Sequence, residues 1–220
     1  MLKFNRWTLD VDAYYVHFQN GYDSYVDFDS GEPIFVATGP TNTKGVEAES
    51  NIAITHGLSL YLNGSIGSAK YQTGASYPNG GLWVADTPSN IETLGLFWQQ
   101  KNWDLGILDK RVGRMYNDNG TLPFGSQQIP YPVDQAAKID PFSVTNFFVN
   151  YTIKNRSWLR GSKLGLAVNN LLDNHNLVGI TPATAATATV PFAPSPNDQL
   201  QLLPGRSVMV SLTVGYAPKR

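Results

Sequence analysis

The chain has 220 residues, a formal net charge of −1 and no cysteine, with 15% charged and 12% aromatic side chains. Near-neutrality argues against a nucleic-acid partner, and the lack of cysteine excludes disulfides and thiolate metal sites. No run of about 18 apolar residues occurs, so no transmembrane helix is predicted; low charge with abundant Tyr, Trp, Gly and Asn fits an antiparallel β-barrel wall or, as an alternative, a soluble β-sandwich.

The hydrophobic pattern has a period of two from the start. Trp7, Leu9, Val11, Ala13 and Tyr15 alternate with Thr8, Asp10, Asp12 and Tyr14, which predicts a first strand from Arg6 to about Val26, ending at the turn signal Asp29-Ser30-Gly31. A second strand is predicted over Ile34–Thr55, with a bulge or bend at Gly39-Pro40. His56-Gly57 is a short turn into a third strand, Leu58–Tyr71. The loop Thr73–Ser89 leads to a fourth, Asn90–Gln99, and Lys101-Asn102 turns tightly into a fifth, Trp103–Tyr116. After Asn117–Asp140 come a sixth strand, Phe142–Ile153, a turn around Lys154–Ser162, and a seventh, Lys163–Asn170. The loop Leu171–Pro204 precedes the last strand in Gly205–Tyr216, where Val208, Val210, Leu212, Val214 and Tyr216 share one face.

Two regularities favour a membrane barrel over a sandwich. Short turns follow the second, fourth and sixth strands and mostly long loops follow the others, the asymmetry of an outer-membrane barrel. Trp7, Trp98, Trp103 and Trp158, with Tyr151 and Tyr216, lie near the short-turn ends and form an expected aromatic girdle. Leu60, Leu96, Leu166, Val210 and Leu212 are then expected to face lipid, and Asp12, Glu49, Asn150 and Ser211 to face inward. The fifth strand is left with two phases. Continuous alternation turns Asp109 and Arg111 outward, whereas a bulge near Leu108 turns them in.

Four motifs in order resemble the C-terminal barrel of TonB-dependent outer-membrane receptors: Asn42-Thr43-Lys44-Gly45-Val46-Glu47-Ala48-Glu49, Val112-Gly113-Arg114-Met115-Tyr116-Asn117-Asp118-Asn119-Gly120, Val168-Asn169-Asn170-Leu171-Leu172-Asp173-Asn174 and Leu203-Pro204-Gly205-Arg206-Ser207. The resemblance implies a barrel of about 22 strands around an N-terminal plug, of which these would be the last eight, forming an open curved sheet if alone. It implies import of a scarce ligand, above all a ferric siderophore, with TonB acting through the plug in the bacterial outer membrane. On that reading residues 1–220 are a C-terminal segment without plug or signal peptide and are not transport-competent alone. The implied partners are outer-membrane lipid, the N-terminal barrel strands, the plug and the ligand. The alternative is a self-contained eight-stranded barrel with a structural or adhesive role.

No catalytic constellation is present, and neither enzyme activity nor a cofactor is expected. His17, His56 and His175 lack metal-site spacing. Asp10, Asp12, Glu47 and Glu49 are read as polar lumen wall, paired with Lys110, Arg114 or Arg206. Ligand contacts are expected from Arg114, Tyr116 and Arg206 near the outer mouth, since cationic and aromatic groups suit an anionic ferric chelate.

Overall fold

The computed structural model describes residues 2–3, 5–19, 22–26, 30, 32–37, 40–72, 83–117, 137–154, 159–183 and 191–215. In chain order the strands are β1 (Leu2–Lys3), β2 (Trp7–Phe18), β3 (Tyr22–Val26), β4 (Pro33–Ala37), β5 (Thr41–Thr55), β6 (Leu58–Tyr71), β7 (Asn90–Gln100), β8 (Trp103–Val112), β9 (Met115–Tyr116), β10 (Lys138–Ile139), β11 (Phe142–Thr152), β12 (Lys163–Asn169), β13 (Leu177–Thr181), β14 (Gln199–Leu202) and β15 (Ser207–Thr213). Nine of them form one antiparallel sheet in the order β1-β2-β5-β6-β7-β8-β11-β12-β15. β1 is a two-residue stub pairing Leu2 with Leu9. Its neighbours in the sheet are the eight long strands expected from the sequence.

The sheet is one layer, and its two ends do not pair with each other, so it is an open curved wall and not a closed eight-stranded barrel. A second packed sheet, which a sandwich requires, is absent among the described residues. The buried apolar residues among them are only Ala69, Ala137 and Ile139, while Val210 and Leu212 are 69% and 70% exposed.

Register fixes the faces. Leu60 pairs with Leu96, Leu96 with Ile107, Ile107 with Phe147 and Phe147 with Val168, and Leu166 pairs with Val210 and Leu164 with Leu212. Paired residues share a face, so these side chains make one apolar surface. On the other face Asp12 pairs with Glu47, Asp10 with Glu49, Glu49 with Asn63 and Asn150 with Gly165, and Gly165 pairs with Ser211. Glu49 is held by neutral donors there, Asn51 Nδ2 and Tyr61 Oη, each at 3.3 Å. Phe97 and Phe148 also lie on this face, ring centroids 6.2 Å apart, over Gly106. A Cβ on Gly106 would stand 2.4 Å from the Phe148 ring, so the glycine makes room for both rings.

Turns and belt follow the sequence reading. His56 and Gly57 have φ of 45° and 83°, and both central residues of a tight hairpin turn of the twist-matched kind have positive φ. A Cβ at Gly57 would lie 1.9 Å from the Gln99 carbonyl oxygen. Trp7, Trp98, Trp103 and Tyr151 gather on the apolar face at the short-turn end. Trp103 and Tyr151 rings are 4.8 Å apart, and Trp7 Nε1 donates to Ser50 Oγ at 2.6 Å. Trp158 and Tyr216 lie outside the described residues.

Several strand bounds are corrected. The first strand ends at Phe18, and Tyr22–Val26 pairs instead with Pro33–Ala37 in a separate hairpin. The second wall strand therefore begins at Thr41, beyond the anticipated break at Gly39-Pro40. The fifth wall strand ends at Val112, and Met115–Tyr116 pairs instead with Lys138–Ile139 in the small sheet β9/β10, while the stretch predicted as the loop Leu171–Pro204 contains β13/β14. β8 pairs on both sides without a register shift, so no bulge forms at Leu108, and Asp109 and Arg111 share the apolar face with Leu105 and Ile107.

Candidate functional site

The described parts of the long connections lie at the strand ends opposite the aromatic belt, and the backbone there is tied down step by step. Lys70 on β6 forms a bridge with Trp83, Val84 N–H donates to Ala69 O at 3.0 Å, and Asp86 N–H donates to Tyr116 O at 2.7 Å. Ser89 N–H reaches Arg114 O at 3.1 Å. The segment from Trp83 to Ser89 is thereby laid between the end of β6 and β9. On the far side of β9, Tyr116 pairs with Lys138.

This framework makes a cleft of ≈ 240 Å³ lined by Trp83, Thr87, Ser89, Arg114 and Tyr116. Lys70 Nζ lies 5.6 Å from the Trp83 ring centroid and Lys138 Nζ 5.8 Å from that of Tyr116. Each aromatic face thus carries a cation at cation–π distance. The Thr87 and Ser89 hydroxyls of the cleft donate to Ala85 O and Asn90 Oδ1 at 3.2 and 3.0 Å. With the Arg114 guanidinium as donor, the cleft offers positive charge and flat apolar surface. That combination suits a rigid anionic group.

Two buried amides hold other parts of this rim. Asn117, 6% exposed, donates through Nδ2 to Ile180 O and accepts Ile180 N–H on Oδ1, fastening the β13/β14 hairpin beside β9. Asn170, 3% exposed with φ of 49°, donates to Asn174 O and Pro204 O at 2.8 Å and accepts Asn174 N–H at 3.0 Å. Asp173 accepts the Arg206 N–H at 2.7 Å and lies 3.6 Å from His175 Nε2. The Arg206 N–H, followed by the charges of His175 and Arg206, holds the Asp173 carboxyl below the ordinary carboxylate range.

Arg114 and Tyr116 therefore line one cleft. Arg206 lies apart, at the start of β15, where its backbone N–H closes the Asp173 turn. Trp83 completes the lining, with Lys70 and Lys138 beside the Trp83 and Tyr116 rings but outside the cleft, and the sequence analysis named none of the three, leaving Trp83 in the loop Thr73–Ser89. A lone tryptophan in a Gly/Pro-rich segment was the available signal. Among the described residues, no three His, Cys, Asp or Glu side chains group as for a metal ion.

The family profile described as "TonB dependent receptor-like, beta-barrel" matches residues 2–171. Similar solved structures include the ferric citrate transporter FecA in its unliganded form, at 17% identity and a TM-score of 0.67, covering 96% of this chain and 29% of that one. The ferric yersiniabactin uptake receptor FyuA from Yersinia pestis is 14% identical with a TM-score of 0.65, covering 96% and 28%. The copper transporter OprC is 14% identical with a TM-score of 0.61, covering 96% and 30%. The chain thus spans under a third of the length of each. No curated protein sequence matches it.

Proposed function

The chain belongs to the TonB-dependent receptor β-barrel family, a family of transport receptors and not of enzymes, and from that premise we propose that it is the C-terminal part of an outer-membrane importer for an anionic metal chelate, a ferric siderophore above all. Its apolar face meets lipid and its polar face meets the lumen. Further N-terminal strands close the wall of the barrel, and a plug inside it transmits TonB-coupled energy. The chain alone is not transport-competent, because an open sheet neither seals a pore nor couples to an energy source.

One observation carries the ligand class: the rim cleft in which Arg114, Tyr116 and Trp83 converge, with Lys70 and Lys138 over the two rings. FecA and FyuA, by their names, take ferric chelates, which fits such a cleft. Arg114 and Tyr116 contact the ligand directly, through charge-assisted hydrogen bonds and ring stacking. Arg206, apart on the same rim, acts as a steering charge that raises the association rate.

The test is binding and uptake by the intact receptor, with ferric citrate and a ferric catecholate as probes. Arg114→Ala and Tyr116→Ala should each weaken binding of the preferred chelate by about tenfold, since a lost charged hydrogen bond is worth roughly 1.5–3 kcal/mol. Arg206→Ala should slow association and leave dissociation unchanged. Uptake should stop when the proton-motive force is collapsed. Unaltered affinity in both cleft variants would remove the ligand assignment, and energy-independent uptake would remove active transport.

A further inference from the structure

Tyr116 lines the cleft from a strand of two residues, β9, whose ladder partner among the described residues is the equally short β10. A ladder that short is marginal by itself, so the place of the Tyr116 ring depends on what else holds β9. On the cleft side, Tyr116 O accepts the Asp86 N–H at 2.7 Å. The next residue, Asn117, is fixed through main chain and side chain together. Its N–H donates to Ala137 O at 2.8 Å, its Oδ1 accepts the Ile180 N–H at 3.0 Å and its Nδ2 donates to Ile180 O.

The amide therefore meets the Ile180 peptide as the edge of a neighbouring strand would, and it joins two small sheets that share no ladder. Neighbouring residues of a strand face opposite ways. Tyr116 and Lys138 share one face of β9/β10, and Asn117, Ala137 and Ile139 lie on the other, where they are 6%, 3% and 0% exposed. Removing the amide strands the N–H and the C=O of Ile180 in that buried place. It also frees β9 from the β13/β14 hairpin, while every group that lines the cleft stays present.

We infer that Asn117 is a positioning residue for ligand binding: clamped on the Ile180 peptide, it holds β9 where the Tyr116 ring meets the chelate. The inference rests on the reading of the cleft as the chelate site. A positioning residue and a contact residue differ in kinetics. When β9 is free to leave its place, only the fraction of receptor with β9 in place binds, so association slows in proportion. The complex, once formed, has all its contacts and dissociates at the original rate. Loss of a contact instead speeds dissociation.

The experiment follows association and dissociation of ferric citrate and of a ferric catecholate with the intact receptor in stopped flow, using the chelate that binds more tightly. Asn117→Ala should slow association about tenfold, the equivalent of ordering one or two side chains, with dissociation unchanged. Asn117→Asp keeps the size and the acceptor for the Ile180 N–H but sets a carboxylate against Ile180 O, and should slow association as well. Neither effect should fade at high salt, which separates both from steering by Arg206. Saturating chelate should slow hydrogen exchange at the Ile180 amide, because coupling between two sites is reciprocal; this measurement needs no variant. Heat-modifiable mobility selects the variants that are folded. Tyr116→Ala should speed dissociation. Unaltered kinetics in Tyr116→Ala refute the chelate reading of the cleft and this inference with it. Faster dissociation in Tyr116→Ala beside unchanged association in the Asn117 variants refutes the positioning role alone. An Asn117 effect carried by dissociation, or an Ile180 amide indifferent to chelate, refutes it too.

Discussion

The assignment of faces makes its sharpest prediction at two neighbouring residues of β15. The depth of Val210 follows from register. The row through Trp7 passes Ile52, Leu60 and Leu96 to reach Ile107 on β8, whereas the belt residue of that strand is Trp103. The belt therefore descends by about one residue per strand, the stagger of strands tilted by about 35–45°. Carried on through β11 and β12 to β15, it reaches the neighbourhood of Val214 and Gly215. Val210 then stands roughly 13 Å above the belt at ~3.3 Å per residue along a tilted strand, near the middle of an apolar band about 25 Å tall. Arginine at that depth on the lipid side costs about 2–4 kcal/mol. Ser211 shares the strand and the depth but is opposite Gly165 on the polar face, where a charge stays hydrated. Val210→Arg should thus destabilise the intact receptor by at least about 2 kcal/mol more than Ser211→Arg, read as unfolding free energy in vesicles or as assembly yield. Equal costs, or the reverse order, would sink the face assignment and the membrane reading with it.

Four further outcomes are expected. Gly57→Ala should destabilise the β5–β6 turn by about 1 kcal/mol or more, because the φ of 83° and the Gln99 carbonyl leave no place for a Cβ; urea unfolding measures it. Asn170→Ala should cost about 2–3 kcal/mol by stranding the Asn174 N–H and the Asn174 and Pro204 carbonyls, seen as faster hydrogen exchange around Asn174. The Asp173 carboxyl is held below its ordinary 3.8, so its contribution to rim stability is complete above that value and is lost as pH falls through the lower folded value. Exchange at the Arg206 amide should accelerate in that acid range, and Asp173→Asn should abolish the pH dependence. Lys138→Gln should weaken chelate binding through loss of the cation over Tyr116, by about 0.5–1 kcal/mol at this exposed site, measured by titration.

The wall was legible because each of its strands has two unlike environments, and alternation at period two records that directly. Leu58–Tyr71 was read to the residue. The rim was not legible, for two physical reasons. Its strands, such as Met115–Tyr116 and Leu177–Thr181, are too short and too uniformly surrounded to alternate. Tyr22–Val26 was merged with the preceding strand because its own β propensity continues the run. The turn dipeptide Asn20-Gly21 was the signal to stop. The cleft was half legible. Arg114 and Tyr116 sit in one motif, whereas Lys70, Trp83 and Lys138 arrive from three separate segments. Only register and the bonds of the rim backbone bring them together.

The fifth predicted strand shows how a local ambiguity is decided by its neighbour. Alternation alone left Arg111 outward or, with a bulge, inward. The face of Glu92 is fixed independently, since Leu94, Leu96 and Trp98 on β7 hold it to the apolar side. A bulge in β8 would turn Arg111 to the lumen and leave the Glu92 carboxylate on the lipid side without its cation. With β8 regular, Glu92 and Arg111 are direct cross-strand partners at 3.0 Å, and Asp109 finds Thr145 on β11. Two charges that look misplaced when each strand is read alone are mutually required once the strands are in register.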